Sequence, residues 1–266
     1  MKNQDQLFRF VFDHTPIRGQ LLSLDASWQK CLQRSDADEF ARTMLGHALA
    51  AVTLLASTLK IDGNITLQIR GQGPIHLLVA QSNKQRSVRG LVRQSHSVAQ
   101  TQASLQEVFG ADKMVITIDN GKGKPYQGIV PLRGSTLQQA LEAYFEHSEQ
   151  LPTRIWLASN ETSASGLLLQ KLPGEDIDSD SWNRITQLAS TLTEQELIEL
   201  SEQDLLYRLF HEESLRLFES EPVHFSCSCS RERTLNMIRS LGQAYADDIL
   251  REQGTITVTC EFCNNR

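Results

Sequence analysis

The sequence predicts an α+β fold: a mixed core domain with an antiparallel sheet and helices, then a helical linker and a small cysteine-rich module. Three observations carry this. Strand-like apolar runs follow one another across connections as short as GQGP (71–74) and SNKQ (82–85), too short for a crossover helix, so neighbours pair antiparallel. One long run, Asp36 to Leu59, has the length and periodicity of a buried helix. Four of the five cysteines fall within the last 44 residues.

Taken in chain order, alternation in Phe8, Phe10, Phe12 and in Ile17, Gly19, Leu21 reads as strands ahead of the long helix. Ile65 to Arg70, Ile75 to Gln81 and Ser87 to Arg93 form a meander. Met114 to Asp119 and Gln127 to Leu132 form a hairpin around Gly121 and Gly123. Ser135 with Gln138 has the spacing of a capping box, which opens a helix over Thr136 to His147. Arg154 to Ser159 and Gly166 to Leu172 close the core as strands.

The character of the chain changes after Pro173-Gly174. Residues 1–174 hold 18 basic and 14 acidic residues, 175–222 hold 3 and 13, and 223–266 hold 5 and 5. The division expected is therefore a core domain over 1–174, an acidic helical linker over 175–222, and a cysteine module over 223–266. Glu175 to Asp180 is a polar connection, and Thr193 with Glu196 and Ser201 with Asp204 are two capping signatures. Leu205, Leu206, Leu209, Phe210, Leu215, Leu217 and Phe218 give the segment an apolar face that must pack on something. It is either a helical extension of the core or an amphipathic linker whose negative charge weakens its own docking.

Composition narrows the function. The net charge of −6 argues against a constitutive nucleic-acid binder. Met1 to Phe10 has neither an apolar stretch nor a cleavage site of the secretory type, which reads as a cytoplasmic protein. The most apolar stretch, Ala48 to Leu59, stops at Lys60, short of the ~20 residues that cross a bilayer, so no membrane partner is expected. No nucleotide loop of the G-x-x-x-x-G-K-[ST] type and no G-x-S-x-G elbow is present, so neither an enzyme nor a nucleotide-binding protein is expected. His14, His47, His76, His96, His147 and His211 are scattered and read as structural or exposed.

Cys227-Ser-Cys229 and Cys260-Glu-Phe-Cys263 form C-x-C and C-x-x-C pairs separated by thirty residues. Two close pairs of thiolates suit one tetrahedral zinc ion per chain. With four cysteines the shell is full, and His224 is not needed. So short a segment depends on the metal for its fold, since ligation contributes roughly 10–16 kcal/mol in zinc-finger peptides. The thiolates are also what oxidants attack. Near neighbours meet first, so oxidation is expected to give Cys227–Cys229 and Cys260–Cys263 disulfides, whose tight rings are easily reduced. A zinc-ribbon nucleic-acid binder is the alternative reading, opposed by the zero net charge of the module and the acidic segment beside it. A thiol–disulfide oxidoreductase is disfavoured because strand-like Thr255 to Thr259, not a helix start, adjoins Cys260-x-x-Cys263.

Together with the Ser-Arg-Glu-Arg run that ends at Arg233, this cysteine pattern resembles that of the redox-regulated thirty-three-kilodalton heat-shock protein family, ATP-independent holdase chaperones. GQGPIHLLVA (71–80), SVRGLV (87–92), GKPYQGIV (123–130), YFEHSEQLPT (144–153) and GLLLQKLPG (166–174) resemble core segments of that family, in its order. The resemblance implies a reduced, zinc-bound, inactive form. Oxidation would release the zinc, unfold the linker and module, and yield an active homodimer that binds unfolding client proteins. The chain ends three residues after Cys263, where family members are expected to continue with an aromatic-containing tail. Cys31 matches no switch position and reads as a buried or incidental thiol.

Overall fold

The computed structural model describes residues 5–58, 62–97, 103–121, 123–174 and 178–266. Leu59 and Lys60, and the first half of the connection expected over Glu175 to Asp180, lie outside the described residues. The first half of the core runs β1 (Gln6–Phe12), β2 (Ile17–Leu24), α1 (Ala26–Leu32), α2 (Glu39–Thr58), β3 (Asn64–Arg70), β4 (Ile75–Asn83) and β5 (Ser87–Gln94). There follow α3 (Leu105–Phe109), β6 (Lys113–Asp119), β7 (Tyr126–Pro131), α4 (Leu137–Tyr144), β8 (Thr153–Ser159) and β9 (Ala164–Lys171). Helices α5 (Ser181–Ser190), α6 (Glu194–Glu199) and α7 (Glu202–Phe210) precede the short strands β10 (Leu215–Leu217), β11 (Glu221–Pro222) and β12 (His224–Phe225). Last come α8 (Arg231–Ser240) and α9 (Gln243–Gln253). The contacts divide the chain into two compact units, Met1–Phe225 and Ser226–Arg266.

The fold is mixed α+β, as expected, with two sheets where one was anticipated. One is ordered β10-β1-β2-β9-β8, with β11 beside β10 on β1; the other is β12-β5-β4-β3-β6-β7. Every pairing is antiparallel except that of β12 with β5. Helix α2 lies between the sheets, touching β3, β4 and β5 on one and β2, β8 and β9 on the other. That explains a helix apolar on nearly every side, from Ala41 through Ala56. By length and hydropathy α2 would suffice to cross a membrane; burial between two sheets is what its apolarity serves here.

The first sheet is covered on both faces. Leu7, Leu22, Leu24 and Leu168 face the α2 layer. Phe10, Phe12, Ile17, Leu21, Leu167 and Leu169 form a second core with Ile185, Ala189, Leu205, Leu209 and Phe210 of α5 and α7. The rings of Phe12 and Phe210 meet edge to face at 5.1 Å. Gly19 is the cross-strand partner of Phe10, and a Cβ there would stand 2.1 Å from the Phe10 ring; glycine leaves the room in which this aromatic lies flat. The acidic segment is thus docked on the sheet, and each of its arginines is ion-paired: Arg184 with Asp178 and Glu213, Arg208 with Glu196, Arg216 with Asp13.

Several local expectations need correction. The cap of α4 is Thr136, whose hydroxyl accepts from Gln139 N, and Ser135 N instead donates to the Gln139 side chain. The helix does not run on to His147 as a regular α-helix. It widens into a π-helical turn over Phe145–Glu149 that ends at Gln150 in the left-handed region. The apolar face expected along 205–218 packs on the first sheet through Leu205, Leu206, Leu209 and Phe210 of α7 and Leu215 and Leu217 of β10, but Phe218 is exposed. Thr193 with Glu196 is a full capping box, and Ser201 accepts from Asp204 N. The short helix α3 was not anticipated, although Ser104 and Glu107 form a capping box that signals it.

His47 sits on α2 with 7% of its surface exposed, and neither ring nitrogen has a hydrogen-bond partner among the described residues. Burial holds its pKa down, from 6.5 to about 4. As pH falls below 6.5 the unfolded chain takes up a proton that the folded chain refuses. The stability due to neutral His47 is therefore complete above pH 6.5 and is lost progressively toward pH 4, by about 3 kcal/mol in all. Urea unfolding of the N-terminal unit across pH 7 to 4 is expected to show this loss in the parent and a flatter profile in His47→Leu. Parallel profiles would show that another group governs the acid limb.

Candidate metal centre

The C-terminal unit has almost no core. Of residues 226–266 only Cys263 is buried, and neither α8 nor α9 has a buried residue. What converges there is sulfur. The Sγ atoms of Cys227, Cys229, Cys260 and Cys263 all lie within 4.8 Å of one another, and no histidine belongs to the cluster. Cys227 is 3.6 Å from Cys260 and Cys229 is 3.3 Å from Cys263. A tetrahedral ion with metal–sulfur bonds of about 2.3 Å requires edges of about 3.8 Å, so the four sulfurs fit the shell of one small cation.

Local structure brings each pair to the centre. The first pair precedes α8, whose N-cap Ser230 accepts from Arg233 N at 3.2 Å. The Arg233 guanidinium reaches back and donates to Ser228 O and Ser228 Oγ, both at 2.9 Å. This fixes the residue between the two ligands, so Cys227 and Cys229 are held by one loop. The Ser-Arg-Glu-Arg run after Cys229 was legible as a motif; its clamp on Ser228 was not. The second pair lies in a turn, closed by Asn264 N to Cys260 O at 2.7 Å and Cys260 N to Asn265 O at 2.9 Å. It opens no helix, unlike the redox motif of a thiol oxidoreductase. Thr255 to Thr259, expected as strand-like, pairs with no strand among the described residues. Its residues Ile256, Thr257 and Val258 instead line a cleft with Leu235 and Ile238, beside Cys229 and Cys260.

Four thiols so close resist ionisation. Hydrogen bonds that the Cys229 thiol donates to Cys263 and Cys227 raise it well above the ordinary thiol range, and desolvation raises Cys263. A divalent cation reverses that balance, because it stabilises each thiolate it binds. The sequence predicted these four residues as the ligand set, and the fold brings all four together. Cys31 is elsewhere, buried in the N-terminal unit and pushed up to about 12 by burial. It is expected to resist alkylation at pH 8 in the native protein and to react once urea unfolds the chain, as mass spectrometry would record. Native labelling of Cys31 as fast as that of a free thiol would contradict this placement.

Comparison with known proteins agrees with this arrangement. Residues 5–266 match the family model described as Hsp33 protein. The 33 kDa chaperonin of Nitrosococcus oceani is 47% identical, the match covering 99% of this chain and 91% of that one. The protein of the same name in Pseudomonas aeruginosa is 44% identical over 100% of this chain and 92% of its own. A crystal structure of the 33 kDa chaperonin from Thermotoga maritima shares the fold, with a TM-score of 0.83 over 98% of this chain and 93% of that one at 24% identity. Full-length agreement in sequence, together with a shared fold, means that the chain belongs to the Hsp33 family.

Proposed function

We propose that this chain is a redox-regulated holdase: zinc-bound and inactive when reduced, and able to hold unfolding proteins once its cysteines are oxidised. One observation carries the reading: four sulfurs within 4.8 Å of one another in a unit whose only buried residue is one of them. Sulfur ligands in a closed tetrahedral set favour zinc among the common cations, one ion per chain through Cys227, Cys229, Cys260 and Cys263. A unit without a core exists only while its ligands hold the metal. Thiol oxidation is then also an unfolding signal.

A two-electron oxidant such as a peroxide takes two electrons from each pair of zinc-bound thiolates and is itself reduced to water with protons from solvent, forming Cys227–Cys229 and Cys260–Cys263 and releasing the ion. With zinc gone the module unfolds, and the acidic segment over 175–222, which precedes it in the chain, leaves its docked state. The face it covers, built on Phe10, Phe12, Ile17, Leu21, Leu167 and Leu169, becomes available to apolar segments of unfolding proteins. The functional division is accordingly core 1–174, linker 175–222 and switch 223–266. The active form is a homodimer working in the cytoplasm, without nucleotide, nucleic acid or membrane, and no step of this kind requires an enzyme active site.

The test compares reduced and oxidised protein side by side for suppression of aggregation of a thermally unfolding client, with zinc release and disulfides mapped on the same samples. Suppression only after oxidation, with one zinc released per chain and both close-pair disulfides recovered, is the expected result. Equal suppression by both forms would overturn the redox part of the reading. Suppression by neither would overturn the chaperone part.

A further inference from the structure

The segment that ends the N-terminal unit is laid along sheet edges. β10 pairs with β1 through Phe10↔Leu217, Val11↔Arg216 and Phe12↔Leu215, and β11 through Gln6↔Pro222 and Leu7↔Glu221. Val223 N donates to Asp5 O, Phe218 N to Arg9 O, and Asp13 N to Ser214 O, at 2.8–2.9 Å. The odd-numbered residues of β1 therefore turn their backbone groups outward to this edge, and the even-numbered ones bond β2. Side chains alternate too: Leu7 enters the α2 layer, whereas Phe8, Phe10 and Phe12 lie on the face covered by α5–α7.

Little holds the covering strands. Leu215 and Leu217 are half-buried and alternate with exposed Arg216. Glu221 joins Arg9 at 2.5 Å and Arg86 at 2.6 Å, partly exposed pairs of the kind that contribute about 1 kcal/mol or less each. If 175–222 leaves, β1 becomes an open edge flanked by aromatic side chains, the situation in which a sheet accepts a further strand.

We propose that the outer edge of β1 is a client-binding edge: an extended segment of unfolding polypeptide with alternating apolar residues takes the place of β10 and β11 by strand addition. The inference rests on the reading that oxidation releases the acidic segment. The occupant is argued from the molecule itself, because β10 and β11 are an extended peptide seated on that edge, with apolar and polar residues in the pattern a one-sided strand requires. Main-chain hydrogen bonds to Leu7, Arg9 and Val11 are indifferent to sequence, and apolar side chains at alternate positions add affinity on the Phe8, Phe10 and Phe12 face. Clients of no common sequence fit this mode, whereas folded proteins, whose strands are already paired, do not.

The experiment uses the full oxidised chain and two soluble seven-residue peptides of alternating leucine and lysine, one unmodified and one N-methylated at every residue. The two present the same side chains, but the second has no N–H to donate. The unmodified peptide is expected to bind at least about tenfold more tightly, the equivalent of one or two net hydrogen bonds, and to slow amide exchange at Leu7, Arg9 and Val11. Equal affinities overturn the proposal, as does slowed exchange elsewhere with these three amides unaffected. If the oxidised chain suppresses no aggregation, the functional reading itself fails and the edge proposal with it; suppression with equal peptide affinities removes the edge alone.

Discussion

A Cys260→Ser, Cys263→Ser double variant is expected to carry no zinc and to lose the fold of Ser226–Arg266 altogether. The magnitude follows from what else that unit has. Only Cys263 is buried in it, so no hydrophobic core replaces the roughly 10–16 kcal/mol that ligation contributes in small zinc modules. Two remaining thiolates, Cys227 and Cys229, make half a shell. Metal analysis should fall from one zinc per chain to none, and α8 and α9 should lose amide protection while β2, β4 and β9 keep theirs. A strong chelator acting on the parent should reproduce the same pattern. Full zinc retention in the variant, or protected α8 and α9 without metal, would show that something other than the four sulfurs holds the unit.

Replacing Leu209 and Phe210 with serine should loosen the acidic segment while leaving the four ligands untouched. Leu209 and Phe210 are 2% and 1% exposed, and Phe210 packs against Phe10 and Phe12. Large-to-small changes at such sites cost about 2–5 kcal/mol each. The ion pairs of Arg184 and Arg208 are partly exposed and cannot offset that loss. Reduced, zinc-bound variant is expected to show faster exchange across 178–225 and partial suppression of client aggregation. If exchange quickens as predicted while suppression stays at the level of the reduced parent, undocking of the segment is not the activating step.

The cysteine spacing, the long apolar run and the turn-bounded strands were legible in the sequence because each is a local signal. C-x-C and C-x-x-C place two ligands in one loop whatever the rest of the chain does. The nine core strands fall within three residues of the apolar runs that announce them, since alternation is a property of the strand alone. What alternation does not carry is the partner. Phe10 and Phe12 read as apolar positions, but that α5 and α7 cover them follows from contacts between residues far apart in the chain.

The same limit explains β10, β11 and β12, two or three residues each, too short to show a period and assigned only because β1 and β5 have free edges beside them. It also explains His47, which lies on a helix buried between two sheets and so loses the solvation that its neighbours in sequence could not reveal. The four clustered cysteines, the long buried helix and the nine core strands were thus legible in the sequence by itself. Which face is covered, by which segment and how weakly, was decided only by the tertiary structure, because burial and strand pairing are relations between distant residues that no local pattern encodes.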